Sequence, residues 1–280
     1  MTSAPASRIG TAVAAVLTAS LLALVLLPLV ALASYARGSY LSALADPQAR
    51  LAIGFTLYAS GLALGISLLL GVPAGYLLAR RRFPGKSIVE SVIGLPVVVP
   101  HLIAGLALLI LISPSNPVGA ALKAAGIPIF DTLWGVVLVM TYVSAPYTVL
   151  AATLAFRAVD ERLLEAARSL GASPSEAFAA VAFPLAARGI LAGALLTWAR
   201  SVSEIGGFLL LAYTVYPSAG YGGPVTAPIS VYIYDLYQAN LAEAAAVSTI
   251  FVLLAFAIFL AVRFVERSGL LPWNRGELTP

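Results

Sequence analysis

The sequence predicts an all-α polytopic membrane protein with about six transmembrane helices. Of its 280 residues, 61% are hydrophobic and only 10% are charged, and the mean hydropathy is +0.98. One water-soluble core cannot cover that much apolar surface. Apolar stretches of the roughly 20 residues that cross a bilayer core of about 30 Å recur six times along the chain. Basic residues gather at alternate ends of these stretches, as the positive-inside rule requires of a multi-pass protein.

Each apolar stretch is long enough to cross the bilayer with some tilt. The six predicted spans are Ile9–Ser34, Leu51–Ala79, Ser87–Ile112, Thr132–Phe156, Leu185–Tyr213 and Ala242–Phe264. The first follows Arg8 and contains Ala31-Leu32-Ala33, which resembles a signal-peptide cleavage site. Because its apolar stretch exceeds the roughly 7 to 15 residues of a signal peptide, we predict a retained helix. No repeat of fixed period appears, so residues 1–280 are predicted to form a single transmembrane domain.

The basic residues predict the orientation in the membrane. With both termini in the cytoplasm, Arg37, Arg50 and Lys123 lie outside and Arg200 lies within a span. The remaining twelve basic residues lie inside: Arg8, Arg80, Arg81, Arg82, Lys86, Arg157, Arg162, Arg168, Arg188, Arg263, Arg267 and Arg275. This bias predicts a plasma (inner) membrane protein with cytoplasmic termini. The net charge of +4 then reflects topology and lipid contact, and no basic cluster carries the aromatic platforms that nucleic-acid binding needs.

The scarcity of reactive side chains argues against an enzyme. There is no cysteine and only one histidine, His101, which excludes thiolate sites and an ordinary histidine metal cluster within one chain. Gly85-Lys86-Ser87 is similar to the end of a phosphate-binding loop, but Arg80 stands where that motif needs its first glycine. We expect no catalytic residue, no metal site and no ATP hydrolysis in this chain.

A hydrophilic loop, residues 157–184, separates the fourth and fifth spans. Asp160 is placed to cap a first short amphipathic helix, and Gly171 suits its end because that position usually needs a positive φ. Ser173-Pro174-Ser175-Glu176 then forms a capping box for a second helix. The apolar face of the first helix consists of Leu163, Ala167 and Leu170. Two short helices joined at Gly171 are predicted, and by amphipathicity alone they would also suit a hairpin lying on lipid headgroups.

The same loop resembles the EAA loop of ABC-importer permeases. That pattern is EAA, three residues, G, nine residues, I, one residue, L, P, and here Val181 and Phe183 replace the usual Ile and Leu. The resemblance implies a cytoplasmic coupling helix held in a groove of a separate ATPase, with Leu163, Leu164 and Leu170 in apolar contact. The residues so implied in coupling are Glu165, Ala166, Ala167, Arg168, Gly171, Val181 and Pro184. It also implies a second copy of this chain, two ABC ATPase subunits that bind ATP and Mg²⁺, and no cofactor on this chain.

The third span, with "GLPVVVPHLIAGLALLILIS", contains Pro96 and Pro100 beside His101. Prolines within a span suit either a helix that lines a pathway or a structural kink packed against protein. The segment resembles the third span of molybdate, tungstate and sulfate permeases, where another proline often stands at the position of His101. We expect His101 to be a polar residue with partners inside the bundle.

The fifth span, with "WARSVSEIGGFLLLAY", carries Arg200 and Glu204 four residues apart. Each unpaired charge costs about 2.5 to 3.5 kcal/mol in the hydrocarbon region, so they should pair or face water. They then either neutralise each other or line the transport path. The segment resembles the R-x-x-S/G-E-F-G stretch of oxyanion permeases, with Ile205 in place of Phe. The resemblance implies pathway or gate residues at Pro96, Pro100, Arg200, Ser203, Glu204 and Gly206.

Together these resemblances imply the permease subunit of an ATP-driven importer for a tetrahedral oxyanion, molybdate or tungstate, with an external oxyanion-binding protein as partner. Sulfate is the alternative substrate, and an ion-coupled secondary transporter is the alternative class, although that class predicts inverted repeats. Three GxxxG pairs, Gly61/Gly65, Gly71/Gly75 and Gly189/Gly193, suit either a dimer interface or packing within one subunit. Asp46 and Asp131 are expected on outer loops, where they either meet a partner or are solvated.

Overall fold

Thirteen α-helices run through residues 8–267, which are the residues that the computed structural model describes. The long helices are α1 (Arg8–Tyr35), α3 (Pro47–Arg80), α7 (Leu133–Ala158), α10 (Phe183–Val202) and α13 (Leu241–Arg267). The shorter ones are α2 (Tyr40–Ala45), α4 (Lys86–Val98), α5 (His101–Ile112), α6 (Pro117–Ala124), α8 (Glu161–Ser169), α9 (Pro174–Ala177), α11 (Gly206–Leu211) and α12 (Ile229–Ala239). Arg275 and the side chains of Arg8 and Arg267, which entered the orientation argument, lie outside what is described.

The predicted all-α, multi-pass architecture is confirmed. Five helices are long and apolar enough to cross a membrane, and α4 with α5 makes a sixth span if the pair is counted as one. The described residues form only two isolated β-bridges, Val215 with Thr226 and Ser218 with Tyr221.

The third predicted span, Ser87–Ile112, is not one straight helix. It breaks between Val98 and His101, and α4 and α5 meet at an angle of 111°. Pro100 has no backbone N–H to donate and disfavours the helical conformation of the residue before it, so Val99 is extended at φ −74° and ψ 127°. Pro96 remains inside α4 without ending it.

The fifth predicted span, Leu185–Tyr213, is wrong at both ends. At its start, α9 continues through a π-helical turn, Phe178–Ala182, into α10, so the second loop helix and the span are one continuous helix. Phe183 donates its N–H to the carbonyl of Phe178, five residues back, just before Pro184, which lacks an N–H. At its far end α10 stops at Val202, and the chain turns before α11 begins at Gly206.

Helix α7 occupies the centre of the bundle and is the most buried candidate span, between α3 and α10. Small residues permit these contacts: a Cβ at Gly75 would lie 2.5 Å from the Cβ of Ala152, and one at Gly193 would lie 2.1 Å from the Cβ of Ala151. Gly71/Gly75 and Gly189/Gly193 therefore pack within the subunit. A Cβ at Gly61 or Gly65 would meet nothing within 4 Å.

Both aspartates expected on outer loops have structural roles. Asp46 caps α3 by accepting the Gln48 N–H at 2.9 Å, and it also accepts the hydroxyl of Tyr232. Asp131 adopts a left-handed conformation, φ 51°, just before α7. Burial raises the pKa of the Asp131 carboxyl, although hydrogen bonds from the backbone of Thr214 and Tyr213 lower it.

Candidate functional site

The loop between α7 and α10 is a helical hairpin whose shape is set by its own sequence. Asp160 accepts the Arg162 N–H at 3.0 Å and starts α8. The N–H groups of Gly171 and Ala172 then bond the carbonyls of Arg168 and Ala167, the pattern of a Schellman cap, and Gly171 has φ 94°. Open space surrounds Gly171, so the backbone conformation, rather than close packing, is what demands glycine here.

The predicted capping box starts the second helix. Glu176 accepts the Ser173 N–H at 2.7 Å, and the Ser173 hydroxyl accepts the Glu176 N–H at 3.3 Å. The backbone N–H groups of Ser173 and Glu176 are thus satisfied reciprocally. The hairpin is therefore a defined unit with caps at its entry, its turn and its second helix.

One leucine anchors the hairpin and two face outward. Leu164, 2% exposed, packs in a cluster that includes Phe156, Ala177 and Ile190. Leu163 is 48% exposed and Leu170 is 90% exposed. The expectation that Leu164 contacts an outside partner is wrong, because it is buried against its own chain. Leu163 and Leu170 remain as an apolar surface without cover from the described residues.

The residues of the EAA pattern divide in the same way. Glu165, Ala166, Arg168 and Gly171 are exposed. Ala167, Val181 and Pro184 are half-buried, and Ala167 packs on the cluster that holds Leu164. Glu165, Ala166, Arg168 and Gly171 thus face solvent, while Ala167 helps to fix the hairpin to the bundle.

Two contacts that the sequence did not predict hold the linker into α8 and the end of α7 that precedes it. Arg80, at the end of α3, donates to the carbonyl of Val159 at 2.7 Å. Arg157, in the last turn of α7, pairs with Glu90 of α4 at 2.8 Å. Glu90 lies inside the third predicted span, and an acid there requires a partner; that signal alone would have singled it out.

A second candidate site lies where both broken spans meet. Glu204 is fully buried in the turn between α10 and α11. Its Oε2 accepts hydrogen bonds from Nη1 and Nη2 of Arg200, each at 3.1 Å. The predicted pairing of Arg200 with Glu204 is therefore present. His101, the first residue of α5, joins this pair: its Nδ1 lies 3.2 Å from the same Oε2, and its Nε2 lies 3.0 Å from Nη2 of Arg200.

The contacts of His101 assign a donor role to one ring nitrogen and an acceptor role to the other. Glu204 accepts and Arg200 only donates, so Nδ1 carries the proton and Nε2 accepts from the guanidinium. Arg200 and Glu204 contribute opposite charges, and the cluster is neutral as a whole. The side chains of the cluster differ in exposure to solvent: Arg200 is 15% exposed and His101 is 46% exposed.

The cluster is tied to its surroundings through backbone groups. The other carboxylate oxygen of Glu204 accepts the Gly207 N–H at 2.8 Å, and the Glu204 carbonyl accepts the hydroxyl of Ser230, on α12, at 2.6 Å. A Cβ at Gly206 would lie 2.6 Å from the Cβ of His101. Only glycine allows the start of α5 to approach α11 this closely.

The remaining predicted pathway residues have different surroundings. Ser203 donates its hydroxyl to the Arg200 carbonyl at 3.0 Å and so closes the end of α10. Pro100 creates the break that brings His101 to Arg200, whereas Pro96 lies within α4, before the break. Among the described residues, no three histidine or acidic side chains come together in a way that could hold a metal ion.

Comparison with known sequences identifies one matching family model. Residues 71–268 match the model of the binding-protein-dependent transport system inner membrane component. The chain is 41% identical over 181 residues to the molybdate/tungstate transport system permease protein of Thermococcus kodakarensis, a match that covers 61% of this chain and 67% of that protein. It is 34% identical over 226 residues to the protein of the same name from Pyrococcus furiosus, covering 81% of this chain and 82% of that one.

Comparison with solved structures shows a shared fold. A chain of a bacterial alginate ABC transporter, crystallised with an alginate pentasaccharide-bound periplasmic protein, superposes with a TM-score of 0.71 at 19% identity. The superposition covers 93% of this chain and 95% of that chain.

Proposed function

The chain belongs to the family of binding-protein-dependent transport system inner membrane components, and we propose that it is the permease subunit of an ATP-driven importer of molybdate or tungstate. Two relatives at 41% and 34% identity carry the name of molybdate/tungstate permeases, which supports this substrate class. The functional unit of the proposal is a pair of these chains with two ATPase subunits, which hold ATP and Mg²⁺, and an external binding protein for the oxyanion.

One observation carries the assignment of the ATPase contact: the capped hairpin of α8 and α9 exposes Leu163 and Leu170 beside Glu165 and Arg168. In this proposal the two exposed leucines form the apolar part of the contact and enter a groove of the ATPase. Leu164 and Ala167 secure the same hairpin to the ends of α7 and α10. A force applied to the hairpin is therefore delivered to two spans.

This assignment sets the orientation. The hairpin, both termini and the C-terminal ends of α3 and α7 face the cytoplasm, in keeping with the positive-inside distribution. The α12 region and the turn that holds Asp131 face outward, toward the binding protein. Closure of the ATPases on ATP would draw the two hairpins together and open the path outward, and hydrolysis would reset it.

The cluster of His101, Arg200 and Glu204 suits a gate for anions that must be released. A bare guanidinium in a low-dielectric path would bind a divalent oxyanion tightly. Because the carboxylate of Glu204 neutralises Arg200, the anion meets donors without a net positive charge. His101 is exposed and Arg200 is partly exposed, and Glu204 holds both in place.

The substrate is tested by reconstituting the chain with its ATPase and binding protein in vesicles. We expect ATP-dependent uptake of labelled molybdate or tungstate that excess sulfate does not suppress. Suppression by sulfate would assign the alternative oxyanion, and ATP-independent uptake by this chain alone would refute the ABC mechanism. Arg200→Ala is expected to alter uptake while assembly persists; unchanged uptake would remove Arg200 from the path.

The coupling role is tested on the hairpin surface. Leu170→Gln is expected to abolish co-purification of the ATPase without affecting membrane insertion. Leu41→Gln, at a leucine of α2 that is 82% exposed, is the matched control and should retain the ATPase. Gly171→Pro should act like the Leu170 variant, because φ 94° is closed to proline. Normal ATPase binding by both hairpin variants would refute the assigned contact.

A further inference from the structure

We propose that the ion pair between Glu90 and Arg157 is a positioning contact that carries motion of the coupling hairpin to α4, and through α4 to the break at Pro100. This inference rests on the proposed function, because it assigns residues that transmit the ATPase stroke within the permease. Glu90 and Arg157 are 67 residues apart in sequence, and Nη2 of Arg157 donates to Oε1 of Glu90 at 2.8 Å.

The location of Arg157 is the first argument. It lies in the last turn of α7, three residues before Asp160, which caps the hairpin helix α8. Only Ala158, the last residue of α7, and Val159 separate Arg157 from Asp160, so displacement of α8 reaches Arg157 through a very short stretch of chain. A linker that short cannot absorb the displacement by coiling.

The weak packing of α4 is the second argument. None of its side chains is fully buried. A cavity of about 220 Å³ separates it from α7, lined by residues that include Gly94, Val97, Pro146 and Leu150, with Glu90 and Arg157 also on its wall. An element that lacks close-packed contacts can move as a body without breaking a core.

The contrast with α3 shows why α4 is the element that responds. Arg80 also holds the linker, through the carbonyl of Val159, but it belongs to α3. That helix is fixed to α7 by close contacts such as Gly71 on Thr148 and Gly75 on Ala152. Of the two helices that contact this end of α7 and the linker, α4 is the one without a fully buried side chain, and it is the one that we expect to shift.

The far end of α4 is the third argument. The helix ends at Val98, and after the extended Val99 and Pro100 the chain enters α5 at His101, which contacts Arg200 and Glu204. Rotation of α4 about this two-residue break therefore acts directly on the charge cluster. Helix α4 therefore connects the two candidate sites: Glu90 in its first half contacts Arg157, and Pro100 follows its last residue.

The ion pair between Glu90 and Arg157 is exposed enough to break and re-form. Its side chains are 46% and 37% exposed, so water screens the attraction and the expected effect of breaking it is modest. We expect Glu90→Gln to reduce the amount of anion taken up per ATP hydrolysed by about two- to fivefold. The charge exchange Glu90→Arg with Arg157→Glu is expected to restore most of that ratio.

The decisive experiment follows α4 without requiring a substrate. The chain has no cysteine, so Val92→Cys on α4 and Leu77→Cys on α3, both exposed, provide two unique sites for spin labels. In the complex with the ATPase, we expect the distance between the labels to change between the ATP-free and ATP-bound states. Glu90→Gln should reduce this change at least about twofold, and the charge exchange should restore it.

Lys86→Gln is the matched control, because it removes a charge from the first turn of the same helix, where Lys86 contacts only the Arg81 carbonyl among the interactions described. It should leave the ATP-dependent change intact. An unchanged response in Glu90→Gln, or no response in the parent complex, would overturn the inference. Since the label distances need no anion, a wrong substrate would refute the proposed function and leave this test standing.

Discussion

Replacement of Glu204 by glutamine probes the charge cluster most directly. The carboxylate of Glu204 is fully buried and accepts from three directions: Arg200 and His101 on Oε2, and the Gly207 N–H on Oε1. A glutamine has one acceptor oxygen. If that oxygen faces Arg200, the amide NH₂ opposes the Gly207 N–H; if it faces Gly207, the NH₂ opposes Arg200 and His101.

The expected cost follows from this conflict. Removing one partner of a buried ion pair costs about 3 to 5 kcal/mol. Arg200 is 15% exposed and its neighbour His101 is half-exposed, so water reaches the guanidinium and the cost should lie near the lower end, about 3 kcal/mol. At roughly 2 °C or more per kcal/mol for a chain of this size, the midpoint of thermal unfolding should fall by at least about 6 °C.

The assay is thermal unfolding of the purified protein in detergent, followed by the fluorescence of its three tryptophans. Glu165→Gln, at an exposed position of the hairpin, is the control and should stay within about 0.5 kcal/mol of the parent. The double variant Arg200→Leu with Glu204→Leu should lose less stability than the two single variants together, because it leaves no charge unpaired. Strict additivity, or an unchanged midpoint for Glu204→Gln, would refute the description of the cluster as a mutually dependent unit.

Three further predictions concern packing and charge elsewhere. Gly75→Ala should cost about 1 to 3 kcal/mol in unfolding measurements, because its Cβ would clash with α7, whereas Gly61→Ala has open space and should be neutral or stabilising. Leu164→Ala should cost about 2 to 5 kcal/mol and Leu163→Ala less than about 0.5 kcal/mol; equal losses would contradict the assigned faces of α8. Because burial raises the pKa of Asp131, folding favours its protonated form, and that contribution is complete below the ordinary aspartate pKa of about 3.9 and is lost as pH rises through the raised value. The midpoint of thermal unfolding of Asp131→Asn should therefore rise relative to that of the parent as the pH increases from 4 to 7. A difference between the two midpoints that is constant with pH would contradict this.

Local chemistry explains why the hairpin was predictable. Asp160, Gly171 and the Ser173-Glu176 box each satisfy backbone groups within a few residues of themselves, so the pattern contains the whole interaction. Apolar length likewise identifies the spans, because a bilayer demands it of each helix separately. The pairing of Arg200 with Glu204 follows from spacing and the cost of unpaired charge, and it persists although α10 ends between them.

What lay beyond the sequence depends on distant segments. A proline at position 100 predicts a break, but neither the 111° bend nor the approach of His101 to Arg200, 99 residues away, is contained in local spacing. Glu90 was visible as an acid inside a predicted span, yet its partner depends on how α4 lies against α7.

The sequence by itself therefore determined that the chain crosses a membrane several times and presents a capped helical hairpin, because hydropathy and capping act over one helix or one turn. Only the tertiary structure decided which faces of the hairpin are free, which glycine pairs are used within the subunit and which charges meet. These outcomes arise from the packing of α3 and α10 against α7 and of α4 and α5 beside them, where a side chain's neighbours come from elements that no local pattern connects.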